Sequence, residues 1–289
     1  MEKSYVILHG GIGNQLFQWA YGHQLALSGQ DIDFMFLDKD YLIPHARKSL
    51  GDFLPNCSHA KFLKRKIPED KLARIIYDPT NRLRLKIPSL GKISNSLKTP
   101  FDYPNYDRAK KYHLGYFQNH KMVEEMEEIL HGELFARLDR EKPTLLEAKL
   151  SGNEIWHVRQ GDTKTPANLA SVGVLNSKYY ERIPPRKSDK RYVLTDDLQG
   201  AHEILVKSDI DGIYGPEDVN VESALRIMAN SSQLFTANST LSWWGGFLAH
   251  RRGAQVSIPN PFFRSMTPNP ISAFSYKGFQ LIPSSFIDT

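Results

Sequence analysis

Three short stretches of this chain set polar side chains beside turn-forming residues in patterns that suit an anionic ligand. In HGGIGNQLFQ, residues 9–18, the glycines Gly10, Gly11 and Gly13 let the backbone turn tightly and approach a ligand. The helix that follows offers its positive end. Asn14 and Gln15 add side-chain amides to the same turn. A dinucleotide fingerprint requires Gly or Ala where Leu16 stands, although Asp38, past the second apolar run, partly imitates that motif's acidic partner. Helix capping by Asn14 is the structural alternative.

The second stretch, HVRQGD, residues 157–162, ends an apolar run with His157 and Arg159 before a Gly-Asp turn. An arginine is always charged and forks onto phosphate oxygens, and Asp162 can orient it or touch the ligand. A purely structural Arg-Asp pair is the alternative. The third, ANSTLSWWGGFLAH, residues 237–250, runs Asn238, Ser239 and Thr240 into an apolar helix. Those residues either cap the helix or share its N-terminus with an anion. Asp196 and Asp197 end another apolar run, YVLTDD.

Such residues need elements to position them. SYVILHGG, the helical NQLFQWAYGHQLALSG and DIDFMFLD form a β-α-β opening. From about residue 154 the strand-like EIWHVR, RYVLTDD, DGIYG, QLFTAN and AQVSIP alternate with helical NSKYYERI, LQGAHEILVKS, VESALRIMANS and LSWWGGFLAH. That alternation predicts parallel sheets with helices on both faces. A single amphipathic helix is expected over NHKMVEEMEEILHGELFARL. The spacing predicts two α/β lobes, 1–150 and 151–289, with a basic, proline-rich insertion over about 41–110.

The 289 residues, 40% of them hydrophobic, can bury a substantial core. The apolar runs are short and strand-like, so neither a transmembrane helix nor a signal peptide is expected, and a cytoplasmic location follows. Cys57 is the only cysteine, which excludes an internal disulfide framework and a cysteine metal cluster. The net charge of +5 is uneven: Lys61 to Lys98 carry eleven basic and three acidic side chains. The remainder is slightly acidic, which argues against nucleic acid as a partner. The basic segment is either a solvated insertion or a face for anionic lipid at the inner membrane surface or for a phosphate-bearing acceptor. Asp-x-Asp pairs at Asp31 to Asp33, Asp38 to Asp40 and Asp209 to Asp211 resemble the metal motif of some sugar transferases. None lies in a glycine-rich ligand turn, so no metal is expected.

At GGIGNQLFQWAYG, HVRQGD and ANSTLSWWGGFLA, in that order, the sequence resembles the α-1,2-fucosyltransferases, glycosyltransferase family 11. GVLNSKYY and YVLTDD fall where that family has comparable segments, while residues 41–110 show no match. The resemblance implies a GT-B-like fold, two Rossmann-like lobes with a cleft between them. It also implies GDP-fucose as donor, no metal or other cofactor, inversion at the fucose anomeric carbon, and a galactose-terminated acceptor such as a lipid-linked O-antigen. Carried onto this chain, it makes Arg159 the leading diphosphate contact and His157 its neighbour. Asn238, Ser239 and Thr240 would lie along the donor, with Asp197 nearby and Glu222 toward the nucleobase. Gly11, Gly13, Asn14 and Gln15 fall on the acceptor or phosphate side, and Asn14 and Asp162 join Arg159 as candidate catalytic residues. Two departures stand out: Gln160 replaces a frequent second arginine, and Ser223 and Ala224 stand where acidic residues are common. An NAD-dependent Rossmann oxidoreductase and a non-catalytic nucleotide- or glycan-binding module are the competing readings.

Overall fold

The computed structural model describes residues 3–36, 50–54, 60–63, 93–96, 101–103, 105–106, 108–185, 187–265 and 271–288. The chain divides into two compact units, Met1–Arg137 and Leu138–Thr289. Most of the basic segment, including Lys64, Arg65 and Lys66, lies outside the described residues, as do Asp38 and Asp40. Among the described residues no helix is long and apolar enough to cross a membrane.

In the first unit β1 (Ser4–Leu8), β2 (Ile32–Phe36), β3 (Ala60–Leu63), β4 (Ile93–Ser96) and β5 (Tyr112–Gly115) form one sheet in the order β3-β2-β1-β5-β4. Every pairing is parallel. Two of these five strands come from the stretch expected to be an insertion, so it belongs in part to the sheet. Runs of four residues that do not alternate give no readable strand period, which is why the sequence hid them. Helix α1 (Ile12–Leu27) lies behind β1, with thirteen of its sixteen residues buried. α2 (Leu50–Phe53) is short. The helix expected over 119–138 is two, α3 (His120–Glu125) and α4 (Glu127–Leu138), broken where Met126 leaves helical geometry at φ −123° and ψ 19°.

The second unit carries β6 (Glu154–Val158), β7 (Arg191–Thr195), β8 (Gly212–Tyr214), β9 (Gln233–Phe235), β10 (Gln255–Asn260) and β11 (Gln280–Pro283). All are parallel, in the order β11-β10-β9-β6-β7-β8. The chain winds outward from β6 to β8, returns to the other side of β6 at β9, and winds outward again. This is the doubly wound Rossmann order, whose ligand position is the switch point between the first and fourth strands. The protein is thus an α/β chain of two Rossmann-like lobes with parallel sheets.

The boundary falls before residue 138, earlier than the expected 150. α5 (Leu145–Leu150) belongs to the second unit because Arg226 grips it. That guanidinium donates to both Glu147 oxygens at 3.0 Å and to the Leu138 carbonyl at 2.9 Å. Thr144 and Glu147 close a capping box on the same helix. Although burial opposes it, bonds from Ser223, Thr144 and Arg226 hold the Glu147 carboxyl below its usual range. The remaining helices are α6 (Pro166–Ser171), α7 (Ser177–Tyr180), α8 (Leu198–Ile204), α9 (Val221–Ala229), α10 (Thr240–Arg251) and α11 (Ile271–Phe274). α10 is buried from Ser242 to Ala249. Its tryptophans are core: Trp243 and Trp244 have no exposed surface, and the Trp243 indole donates to the Phe274 carbonyl at 2.9 Å. A Cβ on Gly245 would sit 2.8 Å from Met228 Cβ, so glycine lets α10 close onto α9.

At the end of β1 the side chain of Gln18, fully buried, replaces a missing stretch of ladder. Its oxygen accepts from the His9 amide at 2.9 Å, and its nitrogen donates to the carbonyls of His9 at 3.3 Å and Gly115 at 3.1 Å. Gln18→Leu leaves those buried groups unpaired, and we expect a loss of roughly 2–4 kcal/mol in urea unfolding. An unchanged midpoint would show that the two strand ends hold without it.

Candidate functional site

In the second lobe β6 and β9 flank the switch point. The residues that follow them, Arg159 to Gly161 and Thr236 to Ser239, are therefore neighbours at one sheet edge. The turn after β6 is built on Asp196, one residue past β7. Its Oδ1 accepts from the amides of Gln160 at 2.8 Å and Gly161 at 3.1 Å. That carboxylate fixes the backbone on which the half-buried Arg159 is carried. The sequence shows Asp196 and Asp197 equally, yet they do different work. Asp197 is the N-cap of α8, accepting from the Gly200 amide at 3.0 Å and pairing with Lys164 Nζ at 2.6 Å. First the Lys164 contact and then the Gly200 amide hold its carboxyl below the usual range. Asp162 opens a 3-10 turn, Asp162–Lys164; its side chain is outside the described residues.

His157 is 6% exposed, and its Nδ1 has no partner among the described residues. Burial pushes its pKa down to about 4, with Asp196 opposing and Arg159 adding to the shift. The imidazole is neutral at pH 7. It lies one step beyond the register pair Trp156 and Phe235, alongside Thr236, whose hydroxyl is likewise buried and unpartnered among the described residues. The Thr236 backbone is held from both sides. Its amide donates to the Ser257 carbonyl at 2.9 Å, and its carbonyl accepts from the Tyr179 hydroxyl at 2.9 Å.

The opening of α10 departs from a capped helix. Ser239 occupies the N-cap position without a side-chain capping bond. Asn238 directs its amide away, donating to the carbonyls of Val172 at 3.1 Å and Gly173 at 2.9 Å. Ser242 turns its hydroxyl toward the carbonyls of Ala237 and Ser239. Ser239 is buried and Thr240 half-buried. Ser239, the N-cap of this twelve-residue helix, thus makes no side-chain capping bond, the setting in which a helix N-terminus favours an anion. Glu222 has a different setting: its Oε1 lies 3.5 Å from Arg226, the guanidinium that binds Glu147.

In the first lobe Gly11 is the N-cap of α1, so Asn14 belongs to the first turn and is no cap. Gly10 has φ 76°, a conformation that favours glycine. Gly13 is buried. Asn14 Oδ1 accepts from Gln118 at 2.9 Å. Gln15 ties two segments, donating to the Gly10 carbonyl at 2.8 Å and accepting from the Leu50 amide at 2.8 Å. Gln18 and Gln118 are positioning residues that the sequence did not single out. His9 directly follows β1, as His157 stands near the end of its own lobe's first strand; 5% exposed, it is pushed by burial to a pKa of about 4. Asp31 and Asp33 pair with Lys3 at 3.6 and 2.9 Å. Asp211 pairs with Lys190 at 2.8 Å and accepts from the Arg191 amide at 2.9 Å. Among the described residues no group of three or more His, Cys, Asp or Glu is arranged to hold a metal.

Fold and site together define a two-lobed Rossmann-like protein with an arginine turn and an uncapped helix N-terminus at the switch point of its second lobe. No protein-family model matches the chain. It is similar to an Escherichia coli alpha-1,2-colitosyltransferase, 23% identical over 291 residues that cover 89% of this chain and 91% of the relative. It is also similar to the Escherichia coli O-antigen biosynthesis glycosyltransferase WbnK, 22% identical over 317 residues, covering 94% and 99%. Among solved structures, E. coli heptosyltransferase WaaC with ADP aligns at TM-score 0.48 and 10% identity, over 97% of this chain and 93% of that one. Fucosyltransferase NodZ from Bradyrhizobium aligns at 0.47 and 13%, over 86% and 92%.

Because folded His157 resists protonation while the unfolded imidazole titrates near 6.5, its contribution to stability is complete above that pH and is lost as pH falls toward about 4. His157→Gln should flatten the acid limb of a stability-versus-pH curve, by at most about 3 kcal/mol across that window. A variant with the parent's acid limb would show that His157 is not held neutral by the fold.

Proposed function

We propose that the chain is an inverting glycosyltransferase that moves L-fucose from GDP-fucose to the 2-hydroxyl of a terminal β-galactoside in a bacterial O-antigen. The observation that carries this reading is the meeting of the Asp196-braced Arg159 turn with the uncapped N-terminus of α10 at one switch point. A guanidinium fork and a helix N-terminus side by side suit a diphosphate. The two curated relatives support the coarser part, a glycosyltransferase of O-antigen or lipopolysaccharide sugars. The donor sugar, the linkage and the inversion rest on the family resemblance.

In this reaction the bond from the sugar's anomeric carbon to the diphosphate breaks, and GDP departs with the electron pair. The acceptor oxygen forms the new bond from the opposite face and loses its proton to a base. In this reading charge grows on the leaving phosphate, and Arg159 with the first-turn amides of α10 stabilises it in the transition state. Neutral His157 adds a hydrogen-bonding nitrogen beside them. Asn238 acts indirectly, anchoring the loop at Val172 and Gly173. We assign Asp162 as base over Asp197, whose carboxylate serves Lys164 and the α8 cap. The buried pair with Arg226 makes Glu222 a structural residue in this reading. Asn14 remains the first-lobe residue assigned to the reacting sugars, with Gly11 and Gly13 shaping its turn and Gln15 supporting it.

The colitosyltransferase relative favours a second donor reading, transfer of colitose in place of fucose. Titration with GDP, UDP and NAD, followed by GDP-fucose and GDP-colitose on an acceptor array, separates the readings. Binding of NAD but not GDP would return the oxidoreductase, and GDP binding without turnover on any acceptor would leave a binding module.

Arg159→Lys should lower turnover by roughly two to three orders of magnitude, the usual cost of one preorganised donor, with a smaller loss of GDP affinity and little change in melting temperature. Near-normal turnover would remove Arg159 from the reaction. Activity should also survive EDTA; a loss that Mn²⁺ or Mg²⁺ restores would make the reaction metal-dependent.

A further inference from the structure

The turn that carries Arg159 is fastened to the segment from Asp196 to Gly200, and two glycines make the fit possible. Asp196 Oδ1 takes the amides of Gln160 and Gly161, and its other oxygen stands 2.9 Å from where a Cβ on Gly161 would lie. A side chain at 161 would push that carboxylate away. At the far end of the turn the Lys164 amide donates to the Gly161 carbonyl at 3.3 Å, and Lys164 Nζ pairs with Asp197, the N-cap of α8, at 2.6 Å. Between these ties Gln160, 3% exposed, lays its side chain on the first turn of α8. Gly200, buried at the third position of that helix, leaves the room: a Cβ there would collide with Gln160 Oε1 and come within 2.7 Å of Asp197 Oδ2 and 2.8 Å of Lys164 Nζ. Alanine favours a helix more than glycine does. Glycine at this position therefore gives up helix stability and leaves a notch, which the Gln160 side chain fills.

We propose that Gln160 is a positioning residue for Arg159, keyed into the Gly200 notch so that the guanidinium is carried on a turn held by both its backbone and a side chain. This rests on the transferase reading, in which Arg159 meets the donor diphosphate. Asp196 fixes the backbone of the turn, and the Gln160 wedge resists its movement along α8. Gln160 touches no ligand in this arrangement and acts only through the neighbour that does. A shift of about 1 Å in a group that must meet the transition state costs up to roughly a hundredfold in rate. The notch therefore bears on turnover more than on the affinity for GDP.

The test is a pair of double-mutant cycles on the full chain, read as kcat with GDP-fucose, or with GDP-colitose where the parent prefers it, alongside GDP affinity and melting temperature. Gly200→Ala adds a methyl that displaces Gln160 and should lower kcat about ten- to a hundredfold. Its GDP affinity should fall less, and its melting temperature should not drop, because alanine suits the helix. Gln160→Ala should lower kcat about tenfold, since the turn loses its wedge. Adding Gly200→Ala to Gln160→Ala should then change kcat by less than about twofold, because the side chain to be displaced is gone. In the Arg159→Lys background neither variant should lower kcat further, a coupling that a merely structural role does not produce. Should Gly200→Ala fail to fold, Gln160→Ala and its cycle with Arg159→Lys carry the test. Normal turnover in both single variants, or losses that add in full in either cycle, would overturn the proposal and leave the transferase reading in place. A parent that turns over neither donor would overturn both.

Discussion

A parallel sheet that reverses its winding direction leaves two neighbouring strands whose backbone ladder ends before the chain has turned away. The polar groups past that point have to be satisfied by side chains. Both lobes meet this constraint at the edge where their chemistry-bearing residues lie. In the first, the β1 to β5 ladder ends at Val6 and His113, and Gln18 carries the pairing on to His9 and Gly115. In the second, Asp196 takes the amides after β6 and Tyr179 takes the carbonyl after β9. The polar residues of the site thus rest on a second set that never needs to meet a ligand.

Much of this was legible in the sequence, and the exceptions have physical reasons. Buried parallel strands read as apolar runs that stop at polar clusters, so β6, β7, β9 and the start of α10 stood out. β3 and β4, four residues each, gave no period to detect. The helix break at Met126 left the amphipathic pattern on both sides intact. Adjacent carboxylates at a strand end are indistinguishable by type. Asp196 bends back over the β6 turn and Asp197 forward onto α8, a division that only backbone direction decides. Glu222 carried a usable signal: Arg226 stands four residues later on the same helix, the spacing of a paired face.

The glutamines and asparagines of the signature stretches behave unlike the ligand groups their composition suggests. Gln15, Gln18 and Asn238 each spread their amides over two or more backbone groups from distant parts of the chain. An amide carries donor and acceptor on one rigid plane, so it can bridge two loops in a way that no hydroxyl or carboxylate can. In the proposed reaction the ligand-facing roles fall instead to Arg159, neutral His157, Asn14, Asp162 and the N-terminus of α10.

The Asn238 contact joins the mouth of α10 to a segment with other attachments. Val174 accepts from the Ile287 amide at 2.8 Å, Asn176 donates to the Phe286 carbonyl at 2.9 Å, and the Arg264 amide reaches Val172 at 3.0 Å. Residues 285–287 are therefore stitched to the strip that Asn238 grips, and a disturbance there is passed to the helix entrance through a few short bonds. Strain or a bulky label at these residues would therefore act as a lever on the entrance of α10.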